Sequence, residues 1–218
     1  MTARRRHIPE KTNPTYQEEE TLLRQGYSLV AGLDEVGRGP LAGPLLAGVA
    51  VLPPNPTGPW VGLVRDSKQM TPAQRETVLP QIREAALALE VGASYPHEID
   101  ELGIVGATRL AMRRALDSLA LMPQFLLLDA LTLPQVPVAQ KAIIRGDASC
   151  LSIAAASIVA KVTRDNIMRD ADLDYPGYGF AKNKGYGTLE HMRNLERLGP
   201  CAIHRYSFAP VKRWSRAE

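Results

Sequence analysis

Two short apolar runs constrain this chain more than anything else in it: Leu45–Leu52 and Phe125–Leu128. Both are far shorter than the ~20 residues needed to cross a bilayer. Leu45–Leu52 suits a buried strand, and Phe125–Leu128, wholly apolar, reads as a central strand covered on both faces. The uncharged stretch around the first run, residues 39–64, holds six prolines and five glycines, which argues against a membrane helix. No secretory signal is expected either, because Pro9, Glu10 and Lys11 follow Arg4–Arg6 where an apolar stretch would stand.

The rest of the chain supplies helices to cover those strands. A short helix is expected over Thr15–Arg24. Strands are expected over Ser28–Leu33 and Pro44–Leu52, joined by the glycine-rich turn Gly37–Gly43, with a loop over Pro53–Pro59. Thr71-Pro72 gives a helix N-cap with proline at the first helical position, starting a helix that runs towards Leu89. A strand near Val91–Tyr95, a helix over His97–Leu121 broken near Gly103–Gly106, and a strand over Ala142–Arg145 follow. Leu151–Asp170 is an alanine-rich helix with Ser149 as its N-cap, and Thr188–Leu198 is a helix ended by Gly199-Pro200. A hairpin start followed by alternating elements predicts an α/β fold, a mixed sheet with helices packed on it. At 218 residues the chain fits a single domain, 1–218, with residues 1–14 flexible and 175–218 a basic, aromatic C-terminal extension.

Charge is distributed unevenly. The whole chain carries +3, whereas Tyr175–Glu218 alone carries +5 and seven of the twelve aromatics. Cations beside aromatic rings suit a polyanion with stackable bases, and equally suit a solvated basic surface over an aromatic mini-core. Cys150 and Cys201 have no metal-ligand spacing and no partners for a disulfide framework, so a cytoplasmic location is expected.

Four carboxylates fall where strands end. Asp34 and Glu35 close the first strand, Asp129 closes Phe125–Leu128, and Asp147 lies just beyond Arg145. Catalytic groups gather beyond strand ends in sheets with helical crossovers. Neighbouring strand residues face opposite ways, so Asp34 and Glu35 share a site only if the strand breaks there, and Gly37 permits a break. Converged acids repel unless cations neutralise them or some stay protonated. Two divalent ions about 3.5–4 Å apart would suit such a group and in-line displacement at phosphorus. Oxygen-only ligands would point to magnesium or manganese and not zinc; scattered surface acids at loop mouths are the alternative reading.

Gly37-Arg38-Gly39 with Gly43 is one residue too long for a dinucleotide fingerprint, and Pro40 and Pro44 interrupt the helix that motif needs. What remains is a tight turn, or a backbone bare enough to approach a sugar. Asp66-Ser67-Lys68 precedes a helix start and is either a phosphate contact or a solvated loop. Gly185-Tyr186-Gly187 either exposes a stacking face or packs as a tyrosine turn. His191 and His204 lack any neighbouring ligand motif and read as surface or satisfied histidines.

Taken together, GLDEVGRGPLAGP (32–44), DSK (66–68), IIRGDASCLSIAAASIVAKVTRDNIM (143–168), YPGYGFAKNKGYGTLEH (175–191) and IHRYSFAPV (203–211) resemble the ribonuclease HII family in order and spacing. The resemblance implies a ribonuclease H-like fold, a mixed central sheet flanked by helices with a helical C-terminal extension. It implies a two-metal site of Asp34, Glu35, Asp129 and Asp147, taking Mn2+ or Mg2+. Gly37, Arg38 and Gly39 would sense the ribose 2′-hydroxyl, Tyr186 would stack on the following deoxyribose, and Lys68 would contact a phosphate. Three positions depart from the family pattern. Ala130 follows Asp129 where many relatives have a glycine-asparagine turn, Asn183 replaces a histidine, and Val36 replaces an alanine.

The implied activity is hydrolysis of the RNA strand of RNA/DNA hybrids and nicking at ribonucleotides embedded in duplex DNA, leaving 3′-hydroxyl and 5′-phosphate ends. The partners are those nucleic acids, with no membrane and a monomeric enzyme. The rival readings are a non-catalytic RNA-binding module and a nucleotide-binding oxidoreductase. The first would bind a ribonucleotide-containing duplex without cutting it, and the proline-broken glycine turn disfavours the second.

Overall fold

The computed structural model describes residues 13–214, so residues 1–12 of the flexible start expected over 1–14, and the last four residues of the basic extension, lie outside the described residues, whereas Pro14 is buried. Five strands form one sheet among the described residues: β1 (Val30–Val36), β2 (Leu45–Val51), β3 (Ala88–Ser94), β4 (Phe125–Asp129) and β5 (Ala139–Ile143). Their order is β3-β2-β1-β4-β5. The first three form an antiparallel meander, while β4 and β5 run parallel to β1. The sheet is mixed, as the hairpin start and later alternation predict. Because β1, β4 and β5 are parallel, their C-terminal ends share one edge of the sheet.

Every residue of β2 is buried, which accounts for the first apolar run. Leu45, Ala47, Val49 and Val51 pack with Ala107, Ala111 and Met112 of α4 (Pro96–Asp117). Ala50 faces the opposite layer, with Ala154, Ala155 and Ile158 of α6 (Leu151–Asp174). The strand thus lies between two helices, and a run without alternation is what that position requires. Gly48 sets how closely α6 approaches: a Cβ there would lie 2.1 Å from the Ala156 carbonyl oxygen. Any side chain would push the helix off the sheet.

Leu126, Leu127 and Leu128 of β4 are fully buried, as expected, but the middle strand is β1 and not β4. The remaining helices are α1 (Gln17–Arg24), α2 (Pro59–Leu63), α3 (Pro72–Ala85), α5 (Gly146–Ser149), α7 (Phe180–Asn183), α8 (Leu189–Leu198) and α9 (Ala209–Lys212). Thr71 caps α3 in a reciprocal box with Gln74, and the Thr188 hydroxyl accepts from His191 N at the start of α8. In α4 the backbone leaves the helix at Gly103 (φ 67°, ψ 168°), within the stretch expected to break it.

Other expectations need correction. Ser149 does not cap α6, because its hydroxyl turns back to the Arg145 carbonyl. Cys150 holds the cap position, and the first-turn N–H of Ser152 donates instead to Glu19 Oε1 of α1 at 2.7 Å. β5 begins three residues before the predicted strand and ends at Ile143: it is a largely exposed edge strand without an apolar stripe, and Arg145 beyond it has φ 58°. The helix from Thr71 stops at Ala85, short of Leu89, since Ala88 already pairs with Val51. The loop predicted through Pro59 ends where α2 begins and buries Trp60. No helix of the described residues is long and apolar enough to cross a membrane.

Downstream of α6 the chain forms the short helices of the C-terminal extension. Its aromatics divide in two. Tyr178 and Phe180 stack at 5.2 Å beside the buried His191 and His204, making the mini-core, whereas Tyr186 and Tyr206 are exposed.

Candidate active site

The shared strand edge gathers the four carboxylates. Asp34 and Glu35 stand on β1, Asp129 is the last residue of β4, and Asp147 sits in the single turn of α5 just after β5. The break expected between Asp34 and Glu35 is absent, since β1 stays paired with β2 through Val36. The parallel ladder with β4 stops earlier, at Leu33 and Leu128, so the tip of β1 has no neighbour on that side. Both carboxylates lie in the field of the others without a break. Asp34 feels Glu35, Asp129 and Asp147, and Glu35 feels Asp129.

That field is repulsive and largely dry. Burial, and then the Glu35 charge, push the Asp34 carboxyl up to about 8, against a hydrogen bond from Ser157. Burial likewise raises Glu35, despite Arg38 at 3.3 Å, and raises Asp129, despite the Gly146 N–H it accepts at 2.8 Å. Glu35 Oε2 is buried with no hydrogen-bond partner. Lys68 reaches in from a 3-10 turn (Ser67–Gln69), its Nζ 3.0 Å from Asp147 Oδ2. Burial works against its charge, but Asp147 outweighs it and holds the ammonium above its ordinary range. Among the described residues no three His, Cys, Asp or Glu side chains already stand as a ready metal-binding group. The acids share a field without forming a closed cage.

The turn after Asp129 bears on the first departure from the family pattern. Ala130 adopts φ 54° and donates its N–H to the Ile143 carbonyl. The left-handed turn a glycine would take is kept, at a cost of ~1–2 kcal/mol for a residue with a Cβ. The second departure is also accommodated. Asn183 is buried, accepts the Gly185 N–H at 2.7 Å and donates to the Tyr178 carbonyl, shaping the turn that presents Tyr186.

Next to the acids, the Gly37–Gly39 turn and Tyr186 come together. Gly37 has φ 94°, and a Cβ there would sit 2.4 Å from Arg164 Nε. Gly39 is open: a Cβ would meet only the Tyr186 ring, at 3.7 Å. Arg38 is exposed beside Glu35, and Tyr186 is 43 % exposed.

Sequence reasoning missed what holds this surface in place. Arg205 is fully buried and donates to the carbonyls of Gly37, Arg38 and Gly43 at 2.7–3.1 Å. Arg164, also buried, donates to Ala42, Pro44 and Lys184 carbonyls. Burial pulls these guanidinium groups down to about 9 and about 10, so both stay charged at neutral pH. The sequence singles out Asp66-Ser67-Lys68 but not what Ser67 does there: its hydroxyl bonds that of Ser157 at 2.7 Å, tying the Lys68 turn to the residue that bonds Asp34. Arginine is exposed by default, and nothing local marks these two as buried.

The geometry can be set beside known proteins. The family model for ribonuclease HII matches residues 31–211. A curated ribonuclease HII from Dehalococcoides mccartyi strain BAV1 is 51% identical over 91% of this chain and 94% of its own length. Another from Geotalea uraniireducens is 46% identical over 97% of each. Among solved structures, ribonuclease H2 from Pyrococcus horikoshii matches with a TM-score of 0.70 and 30% identity, over 85% of this chain and 96% of its own. A Bst-RNase HIII solved in complex with Mn2+ shares the fold at a TM-score of 0.63 and 20% identity, over 88% of this chain and 71% of its own. The chain belongs to the ribonuclease HII family, hydrolases of the ribonuclease H class that cut endonucleolytically and act on RNA/DNA hybrids.

Proposed function

We propose that this enzyme cuts the RNA strand of hybrids and also nicks DNA duplexes at single embedded ribonucleotides, using divalent metal held by Asp34, Glu35, Asp129 and Asp147. The observation that carries the reading is the placement of those four acids at one end of the sheet within one electrostatic field, with Asp34 raised to about 8 and Glu35 Oε2 buried without a partner. Like charges so arranged are costly unless a cation joins them. An all-oxygen donor set suits Mg2+ or Mn2+, and a fold neighbour was solved with Mn2+. Two such ions, when bound, would activate the attacking water and neutralise charge at the leaving 3′-oxygen.

The protein's own groups bind and orient the substrate. Lys68, on a turn tied to Ser157, stands where a phosphate would meet its ammonium beside Asp147. The backbone of Gly37, Arg38 and Gly39 reads the 2′-hydroxyl, and Arg205 fixes how that backbone is presented. A 2′-hydroxyl both donates and accepts, so it is best read by polar groups brought close to the sugar. Tyr186, exposed and 3.7 Å from the position of a Gly39 Cβ, stacks on the next sugar. The segment from Tyr175 onward therefore acts with the sheet as one catalytic unit.

The test is a duplex carrying one ribonucleotide, incubated with Mg2+, with Mn2+ or with chelator. Nicking that leaves a 3′-hydroxyl and a 5′-phosphate only with metal is expected. Binding without cutting in either metal would favour the RNA-binding module. Cutting of long hybrids but never of the single-ribonucleotide duplex would remove the finer claim.

A further inference from the structure

His191 and His204 lie outside the acid site, and both are completely buried. His191 Nε2 and His204 Nε2 are 3.1 Å apart. At one end of the pair, His204 Nδ1 faces the Cys201 N–H at 2.9 Å. At the other, His191 Nδ1 faces the Tyr186 carbonyl at 2.9 Å.

The two backbone groups dictate every proton in between. An amide N–H only donates, so His204 Nδ1 must be bare and its proton must sit on Nε2. That proton points at His191 Nε2, which must therefore accept. The His191 proton is then on Nδ1, where it meets a carbonyl that can only accept. Burial, and for His204 also its neighbour, lowers both imidazoles, His204 to about 4, so each ring carries the single proton this chain requires.

The chain joins two parts of the substrate surface. His204 bridges to Ala42 across an antiparallel pair, and its neighbour Arg205 holds Gly37 and Arg38. His191 holds the residue whose ring stands over Gly39. We infer that the His191–His204 pair is a positioning device that sets Tyr186 against the Gly37–Gly39 turn and so contributes to discrimination of a single ribonucleotide. The inference rests on the stacking role given to Tyr186. Neither histidine touches substrate.

Long-range 1H–15N correlation spectra of the intact protein test the proton arrangement directly, with His191 expected as the Nδ1–H tautomer and His204 as the Nε2–H tautomer. The opposite tautomers would overturn the inference. In cleavage, His191→Phe should lose about fivefold in the ratio of kcat/KM on a single-ribonucleotide duplex to that on a long hybrid, as for one lost hydrogen bond. His204→Gln retains an N–H at the Nε2 position and should keep most of that ratio. In a Tyr186→Ala background, His191→Phe should lower the ratio no further, although it would still lower the melting temperature. A loss that persists undiminished in that background would show a structural role only and overturn the inference. Failure of the underlying reading looks different: Tyr186→Ala itself would cut the single-ribonucleotide duplex at the wild-type rate, which would remove both. A clear Tyr186→Ala loss with a wild-type ratio in His191→Phe would overturn the positioning role alone.

Discussion

Two groups of buried charge meet at the end of β1 and are built on opposite rules. Beneath the Gly37–Gly43 turn, Arg205 and Arg164 each spread a guanidinium over several backbone carbonyls, so each cation is matched by dipoles fixed in place. A few residues away, Asp34, Glu35, Asp129 and Asp147 share one electrostatic field, and one oxygen of Glu35 has no hydrogen-bond partner. The arginine side is satisfied, whereas the acid side is left short of positive charge despite Lys68. Satisfied buried charge makes a scaffold, and unsatisfied like charge is what the proposed cation would neutralise.

The contrast can be broken by substitution, and the largest effect is expected on the acid side. Asp34→Asn should lower cleavage by about a thousandfold or more, several kcal/mol of barrier. It should also raise the melting temperature of the metal-free protein, by about 2–4 °C for each kcal/mol of burial cost and repulsion relieved. A differential scan and a cleavage assay on the same sample check both halves. A mutant that is inactive and also destabilised would contradict the view of this edge as electrostatically strained.

On the arginine side the signs reverse. Arg205→Met should destabilise by about 3–5 kcal/mol, because the Gly37, Arg38 and Gly43 carbonyls lose a buried charged donor. Urea unfolding measures this, and a loss under about 1 kcal/mol would mean that water replaces the guanidinium at little cost.

These two substitutions also mark how much the sequence discloses. Strand ends are local signals, so Asp34, Glu35 and Asp129 are placed by the apolar runs that precede them, while Thr71-Pro72 announces the start of one helix and Gly199-Pro200 the end of another. The Lys68–Asp147 pair joins residues 79 apart, and the Glu19–Ser152 contact joins residues 133 apart. No periodicity carries such information. Short helices such as α5 and α7, of four residues each, fall below any periodic window, and β5 hides because an exposed edge has no apolar stripe. Arg164 and Arg205 are the deepest omission, since their burial depends on carbonyls from distant turns.

A smaller effect separates the turn from its supports. Gly39→Ala meets only the Tyr186 ring within the protein, so its stability should change by less than about 1 kcal/mol. Its rate at a single ribonucleotide should fall about tenfold or more relative to its affinity for plain duplex, measured at one salt concentration. Arg38→Ala should be milder in that ratio. Were Arg38→Ala to erase the ribose preference while Gly39→Ala kept it, a side chain and not the backbone would be reading the sugar.

The smallest effect comes from a charged pair at the surface, which shows what ordinary electrostatics contribute here. Hydrogen bonds from Arg114, at 2.7 and 2.8 Å, and then from the Tyr95 N–H, hold the Glu98 carboxyl down at about 2. A depressed carboxyl stabilises the fold above its unfolded value and ceases to do so as pH falls through its folded value. The contribution of Glu98 should therefore disappear between about pH 4.5 and pH 2. Glu98→Gln should flatten the stability profile in that window by under about 1 kcal/mol, given the exposure of Arg114.

The carboxylate of Glu19 at the start of α6 has a consequence for the order of events during synthesis. Glu19 leaves the ribosome 133 residues ahead of Ser152, whose amide it accepts. At about 5–20 residues per second, that wait lasts about 7–27 s. Throughout it α1 has no helix to cap, and the α6 amide that Glu19 meets does not yet exist. The same holds for the pairing of Thr15 with Cys150. The first helix of the described residues can pack on β1 early, but it completes its contacts only once the start of α6 has been made.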